Sequence, residues 1–103
     1  MARFSQMSKD QLIDEIKHLE QEYQTAKKNG WEFQATMLQQ KIRIARSYLV
    51  DPTDIQIGKL YEVEGETGKF RVKYLNGVMA WGSWEGSWEE IAFPLATLRP
   101  INS

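Results

Sequence analysis

KFRVKYLNGVMAWGSW, residues 69–84, decides how the second half of the chain is read. Two alternating runs flank Asn76-Gly77, and that dipeptide between alternating apolar residues is the strongest short-range hairpin signal. A two-residue turn at Asn76-Gly77 would set Leu75 opposite Val78, Tyr74 opposite Met79, Lys73 opposite Ala80 and Val72 opposite Trp81. Arg71 would then face Gly82, and Phe70 would face Ser83. Strand side chains alternate, so Phe70, Val72, Tyr74, Met79 and Trp81 share one face, which is the expected core. Lys69, Arg71, Lys73, Leu75, Val78, Ala80 and Trp84 take the other face.

Upstream of this hairpin, residues 60–64 read as a first strand, with Glu66-Thr67-Gly68 as the turn out of it. Downstream, residues 89–93 read as a fourth strand. Pro94 to Leu98 suits a one-turn helical link before a last short strand ending near Ile101. Five short strands, tight turns and that late single-turn helix predict a small SH3-like β-barrel over 57–101. Between the third and fourth strands a four-residue unit occurs twice: Gly82-Ser83-Trp84-Glu85, then Gly86-Ser87-Trp88-Glu89. Four residues cannot form a solenoid repeat, so the tandem reads as a lengthened loop or hairpin tip.

The first half has a different period. Met7-Ser8-Lys9-Asp10-Gln11-Leu12 is a helix start. Ser8 and Gln11 are spaced as a capping box, Met7 and Leu12 as a hydrophobic staple, and Asp10 suits the positive end of the dipole. Leu12, Ile16, Leu19, Tyr23 and Ala26 then form one apolar stripe, with Asp14, Lys17, His18 and Gln21 opposite. Asn29-Gly30 ends this helix. A second helix is expected over 31–49, stopping before Pro52, so that the two form an antiparallel hairpin over 8–50. Ala35, Leu38, Ile42, Ala45 and Leu49 are its partner stripe. Phe33, Met37, Ile44 and Tyr48 form a second stripe that needs another cover, either the β module or a second copy of the chain in a homodimer. Residues 51–56 read as a linker, within an α+β chain expected to form one compact unit.

With the order of parts established, the chain resembles the YfhH-like family of small proteins from Bacillus-type bacteria. Arg3-Phe4-Ser5-Gln6-Met7-Ser8, Lys41-Ile42, Ala45 and Tyr48-Leu49 carry the match in the first half. Pro52, Gly58, Tyr61, Val63, Tyr74-Leu75-Asn76-Gly77-Val78, Ala80-Trp81-Gly82, Glu89-Glu90 and Pro94 to Leu98 carry it in the second. The resemblance implies a helical hairpin joined to an SH3-like barrel and a role in regulating transcription. It implies no catalytic residue. The tandem Gly-Ser-Trp-Glu departs from the family pattern.

Composition narrows the function classes. The 103 residues carry no cysteine and a formal net charge of −1. A disulfide framework, a thiolate zinc site and a cysteine nucleophile are therefore excluded, and a reducing cytoplasm is the expected compartment. No stretch has the apolar length of a membrane span or the pattern of a signal core. Residues 1–50 hold eight Lys/Arg and six Asp/Glu, while residues 51–103 hold five and eight. Neither balance demands a polyanionic partner.

No catalytic constellation is apparent. The only histidine, His18, sits on the polar side of the first helix, and without a second there is no local triad logic. Adjacent Glu89 and Glu90 point to opposite faces of a strand and cannot share a proton. Glu62, Glu64 and Glu66 read as a solvated edge, and no glycine-rich phosphate loop opens a helix. The expectation is a non-catalytic protein without cofactor or metal.

Two binding readings remain. The favoured one is a protein or peptide partner, because small barrels bind peptides in aromatic grooves or by strand addition, with Tyr61, Trp84 and Trp88 as candidate aromatics. The second is weak binding of single-stranded nucleic acid on the basic face carrying Lys69, Arg71 and Lys73. Trp84 would serve there as a stacking surface, and Arg43 and Arg46 would add charge from the second helix.

Overall fold

The fold was obtained as a computed structural model and is described over residues 3–101. The chain divides after Leu49 into two units, each with its own core.

The first unit opens with a single 3-10 turn, Phe4–Gln6, and then two helices, α1 (Lys9–Lys28) and α2 (Glu32–Ser47). The expected capping box is present. The Ser8 hydroxyl accepts from the Gln11 backbone N–H at 3.2 Å, and the Gln11 side chain accepts from the Ser8 N–H at 2.9 Å. The turn between the helices is equally local. Gly30 takes φ +74°, which lets the Gly30 N–H reach the Lys27 carbonyl at 3.2 Å and the Trp31 N–H reach the Ala26 carbonyl at 2.9 Å. Those two bonds are the Schellman pair that satisfies the last helical carbonyls.

Leu12, Ile16, Leu19 and Ala26 of α1 are buried, as are Ala35, Leu38, Ile42 and Ala45 of α2, as the stripes require. The second helix ends two residues earlier than expected. The Ser47 hydroxyl donates to the Arg43 carbonyl at 2.8 Å, and the Tyr48 and Leu49 N–H groups turn to carbonyls three residues back. Such tightening at a helix end accompanies a side chain that competes for the backbone. Leu49 is consequently exposed. Of the second stripe, Phe33 is 82% exposed and Met37 is exposed, Ile44 is half-buried, and the Tyr48 ring meets that of Phe4 at 6.3 Å.

The second unit begins with a 3-10 turn, Pro52–Asp54, capped by Asp51, whose carboxylate accepts from the Thr53 N–H and hydroxyl. Five strands follow: β1 (Leu60–Val63), β2 (Phe70–Asn76), β3 (Met79–Trp84), β4 (Ile91–Pro94) and β5 (Leu98–Pro100). A 3-10 turn, Leu95–Thr97, precedes β5 as expected. The sheet is antiparallel in the order β4-β3-β2-β1-β5. Its two edges, β4 and β5, are not paired with each other, so the sheet is open where the sequence reading expected a closed barrel. Tyr61, Val63, Phe70, Val72, Ala80, Leu95 and Leu98 form its buried cluster.

The central hairpin has a different register from the one expected. Asn76 pairs with Met79, Leu75 with Ala80 and Tyr74 with Trp81. The turn residues are therefore Gly77 and Val78. Gly77 has φ +60° and no other residue type has positive φ among the described residues, the pattern of a type II′ turn with glycine first. A bulge then shifts the ladder between Val72 and Tyr74, leaving Lys73 without a ladder partner, and Val72 faces Gly82, Arg71 faces Ser83 and Phe70 faces Trp84. The core face is correspondingly redistributed. Ala80 is fully buried, whereas Tyr74 is 43% exposed and stacks parallel to Trp81 at 6.1 Å. Gly82 has no room to spare. A Cβ there would strike the Arg71 carbonyl oxygen, because the bulged strand comes that close.

Candidate functional site

The bulge and the tandem loop together create a groove of about 390 Å³ on the sheet unit. Arg71 and Lys73 line it from β2, Ser83 and Trp84 from β3, and Glu85, Gly86, Ser87 and Trp88 from the loop that follows. The loop starts with a turn in which the Ser87 N–H donates to the Trp84 carbonyl at 2.9 Å, and Gly86 at the third position has φ +84°. Positive φ at the third position is the type II pattern, which glycine satisfies without strain. The Ser87 hydroxyl accepts from the Glu89 N–H at 3.2 Å, and the Tyr74 hydroxyl donates to Glu90 at 2.8 Å, so both ends of the loop are tied down. That bond to the Glu90 carboxylate pushes the Tyr74 hydroxyl above the usual tyrosine range.

The two tryptophans of the tandem differ. Trp84 turns toward the core, edge-on to Phe70 at 5.8 Å and to Phe93 at 5.4 Å. It forms a wall of the groove rather than the free stacking surface expected of it. Trp88 is 98% exposed.

The groove's polar groups are mostly donors. One guanidinium nitrogen of Arg71 donates to the Gly58 carbonyl at 2.6 Å, which fixes the side chain and leaves other N–H groups uncommitted. Lys73 forms no ion pair among the described residues, and Glu85 does not come within ion-pair distance of either cation. Ser83 is 6% exposed, and its hydroxyl has no hydrogen-bond partner among the described residues. A buried hydroxyl in that state is uncommon, since leaving it unpaired is costly.

Four of the residues expected to bind, Arg71, Lys73, Trp84 and Trp88, are thus brought together. Lys69 is exposed and does not line the groove; its carbonyl accepts from the Glu85 N–H. Arg43 and Arg46 belong to the helical unit, where Arg46 already pairs with Glu20 at 3.1 Å. Ser83, Glu85 and Ser87 were not expected in the site. The signal that could have found them is the repeat itself, which places a second Ser and Trp immediately after the first.

The helical unit has a larger groove, about 520 Å³, lined by residues including His18, Glu22, Trp31, Met37 and Lys41. His18 meets Glu22 at 3.1 Å, and both side chains are solvated. Among the described residues no group of three His, Cys, Asp or Glu could hold a metal ion, and no helix is long and apolar enough to cross a membrane.

A family model described as "Protein of unknown function (DUF1811)" matches residues 2–99. A relative in Bacillus subtilis (strain 168), described as "Uncharacterized protein YfhH", is 37% identical over 98 residues, covering 94% of each chain. The match spans both helices and all but the end of the sheet, so the resemblance carried by the hairpin and helix residues extends through the fold, and the chain belongs to this family, DUF1811.

Proposed function

We propose that the chain is a non-catalytic binding module that takes a protein or peptide segment in the groove beside Trp88. One observation carries this reading: an indole 98% exposed, on a loop tied at both ends, beside a groove with an aromatic wall. Tryptophan is among the residues most often dominant in binding, and an exposed ring on a restrained loop loses little conformational freedom when covered. The strand order and the single-turn helix before β5 support treating the sheet as an SH3-like module, a class that binds peptides along aromatic grooves. A role in transcription rests on the family resemblance alone and would follow from the partner's identity.

A second reading, single-stranded nucleic acid, draws support from two cations and a tryptophan in one groove. It is the weaker reading because residues 51–103 carry five Lys/Arg against eight Asp/Glu, and a polyanion would meet that field throughout.

The test is capture from a cell extract on the immobilised full chain, with wild type and Trp88→Ala in parallel, before and after nuclease treatment. The proposal expects one defined protein that is retained after nuclease and lost with Trp88→Ala. Capture that vanishes with nuclease would transfer the function to the second reading. Capture unaffected by Trp88→Ala would remove the groove from it.

A further inference from the structure

Resting on the peptide reading, we infer that the bound segment presents an acidic side chain to the floor of the groove, where Arg71, Lys73 and Ser83 receive its carboxylate. Three observations converge. Lys73 is an exposed cation without an ion-pair partner among the described residues, and Arg71 is held in place by Gly58 with donors left over. Ser83 adds a buried hydroxyl without a hydrogen-bond partner among the described residues. All three line the same groove, and two of them face each other across the β2–β3 ladder. A group rich in acceptors and carrying negative charge satisfies all three, and a carboxylate is the smallest that a peptide offers.

The charge of the guest is limited to one. Glu85 lines the same groove, and the sequence around it is net acidic, so each further negative charge is opposed. A phosphate near −2 or a polynucleotide is therefore a poorer fit than one carboxylate. A chain terminus is also a poorer fit. Terminal carboxylates are captured by clusters of backbone N–H groups, whereas the uncommitted donors here are side chains. Trp88, beside this floor, would cover the apolar neighbour of the acidic residue.

Acetylated and amidated peptide pools, with the central residue fixed as Glu, Gln or phosphoserine and the flanks randomised, are presented to the immobilised full chain. The bound fraction is then compared between pools. The Glu pool should be enriched about tenfold or more over the Gln pool, and Lys73→Gln should reduce that preference several-fold. Lys73→Glu should shift the preference toward a pool centred on Lys. Trp88→Ala should weaken every pool alike. Ser83→Ala supplies a readout that a structural role would not give: the Glu preference falls while thermal stability is unchanged or higher, because an unsatisfied buried hydroxyl has been removed. Equal binding of Glu and Gln pools would overturn the carboxylate assignment while leaving the peptide reading intact. Stronger binding of the phosphoserine pool would overturn the single-charge limit. Failure of all three pools would overturn both readings.

Discussion

Gly82-Ser83-Trp84-Glu85 and Gly86-Ser87-Trp88-Glu89 are the same four residues in immediate succession, and the fold treats them in opposite ways. Gly82 is buried against the bulged strand, while Gly86 has open space around it and a turn to make. The buried Ser83 hydroxyl has no partner among the described residues; Ser87 is exposed and accepts from Glu89. Trp84 packs on Phe70 and Phe93, while Trp88 meets solvent over almost its whole surface. The first three residues of the first copy belong to β3, where ladder and core determine each side chain. The second lies beyond the strand, where neither applies. Identical local propensity thus produces structure in one place and a presented side chain in the other, because tertiary context overrides propensity in strands.

The largest effect expected from this contrast is at the two glycines. Gly82→Ala places a methyl group against the Arg71 carbonyl oxygen, and only displacement of the bulge relieves it. A loss of about 3 kcal/mol or more is expected. Gly86→Ala meets nothing within 4 Å and pays only for positive φ, about 1 kcal/mol. Urea denaturation of the two variants separates them, and equal losses would mean that the copies are equivalent after all.

The tryptophans come next. Trp84→Ala removes edge-on contacts with two rings from a half-buried position and should cost about 2–3 kcal/mol, somewhat less than for a fully buried ring. Trp88→Ala should stay within about 0.5 kcal/mol, as surface substitutions do. A Trp88→Ala variant that melts much earlier than wild type would show that this ring supports the fold, and would weaken the case that it awaits a partner.

How far the sequence could be read follows the same division. Both ends of α1 were legible because they are local: Ser8, Gln11 and Gly30 make their bonds within a few residues. The five strands along the chain and the single-turn helix before the last were legible from turn spacing. The hairpin register was not, because Asn76-Gly77-Val78 supports two turns. Glycine can be second in a type I′ turn or first in a type II′ turn, and positive φ at Gly77 satisfies both. Choosing between them requires knowing that Lys73 bulges and that Ala80, not Met79, goes to the core, facts set by long-range packing. The same slip hid Ser83. With Arg71 opposite Gly82 no polar side chain faces it from β3, whereas Arg71 opposite Ser83 brings a hydroxyl residue into the same groove.

The register itself is testable at the turn. Gly77→Val forces a β-branched residue into positive φ and should cost about 1–2 kcal/mol. Asn76 lies in the ladder with ordinary φ, so Asn76→Ala should change stability by only a few tenths of a kcal/mol. A type I′ turn would instead make both substitutions costly, so a large loss with Asn76→Ala would restore the register first expected.

The smallest expected effect concerns how the second copy is held. Tyr74 lies on β2 and donates to Glu90, the residue after the repeat. Ionising Tyr74 would remove the donated proton and set two negative charges side by side, which is why its pKa is raised, the hydrogen bond leading and burial and charge following. In the unfolded chain the same hydroxyl titrates near 10. A raised folded value means that the folded state holds the proton more firmly. The contribution to stability is therefore fully present below about pH 10 and is lost as the pH rises through the folded value. The group is solvated, so the change in stability is small, and the titration is the better readout. Tyrosinate absorbance should contain a late component that is absent in Tyr74→Phe and moves back toward the usual range in Glu90→Gln. Superimposable titrations of wild type and Glu90→Gln would mean that the bond does not hold in solution. In that case the loop carrying Trp88 would be tied only by the Trp84–Ser87 turn and the Ser87–Glu89 bond, and the exposed indole would enter binding with more freedom to lose.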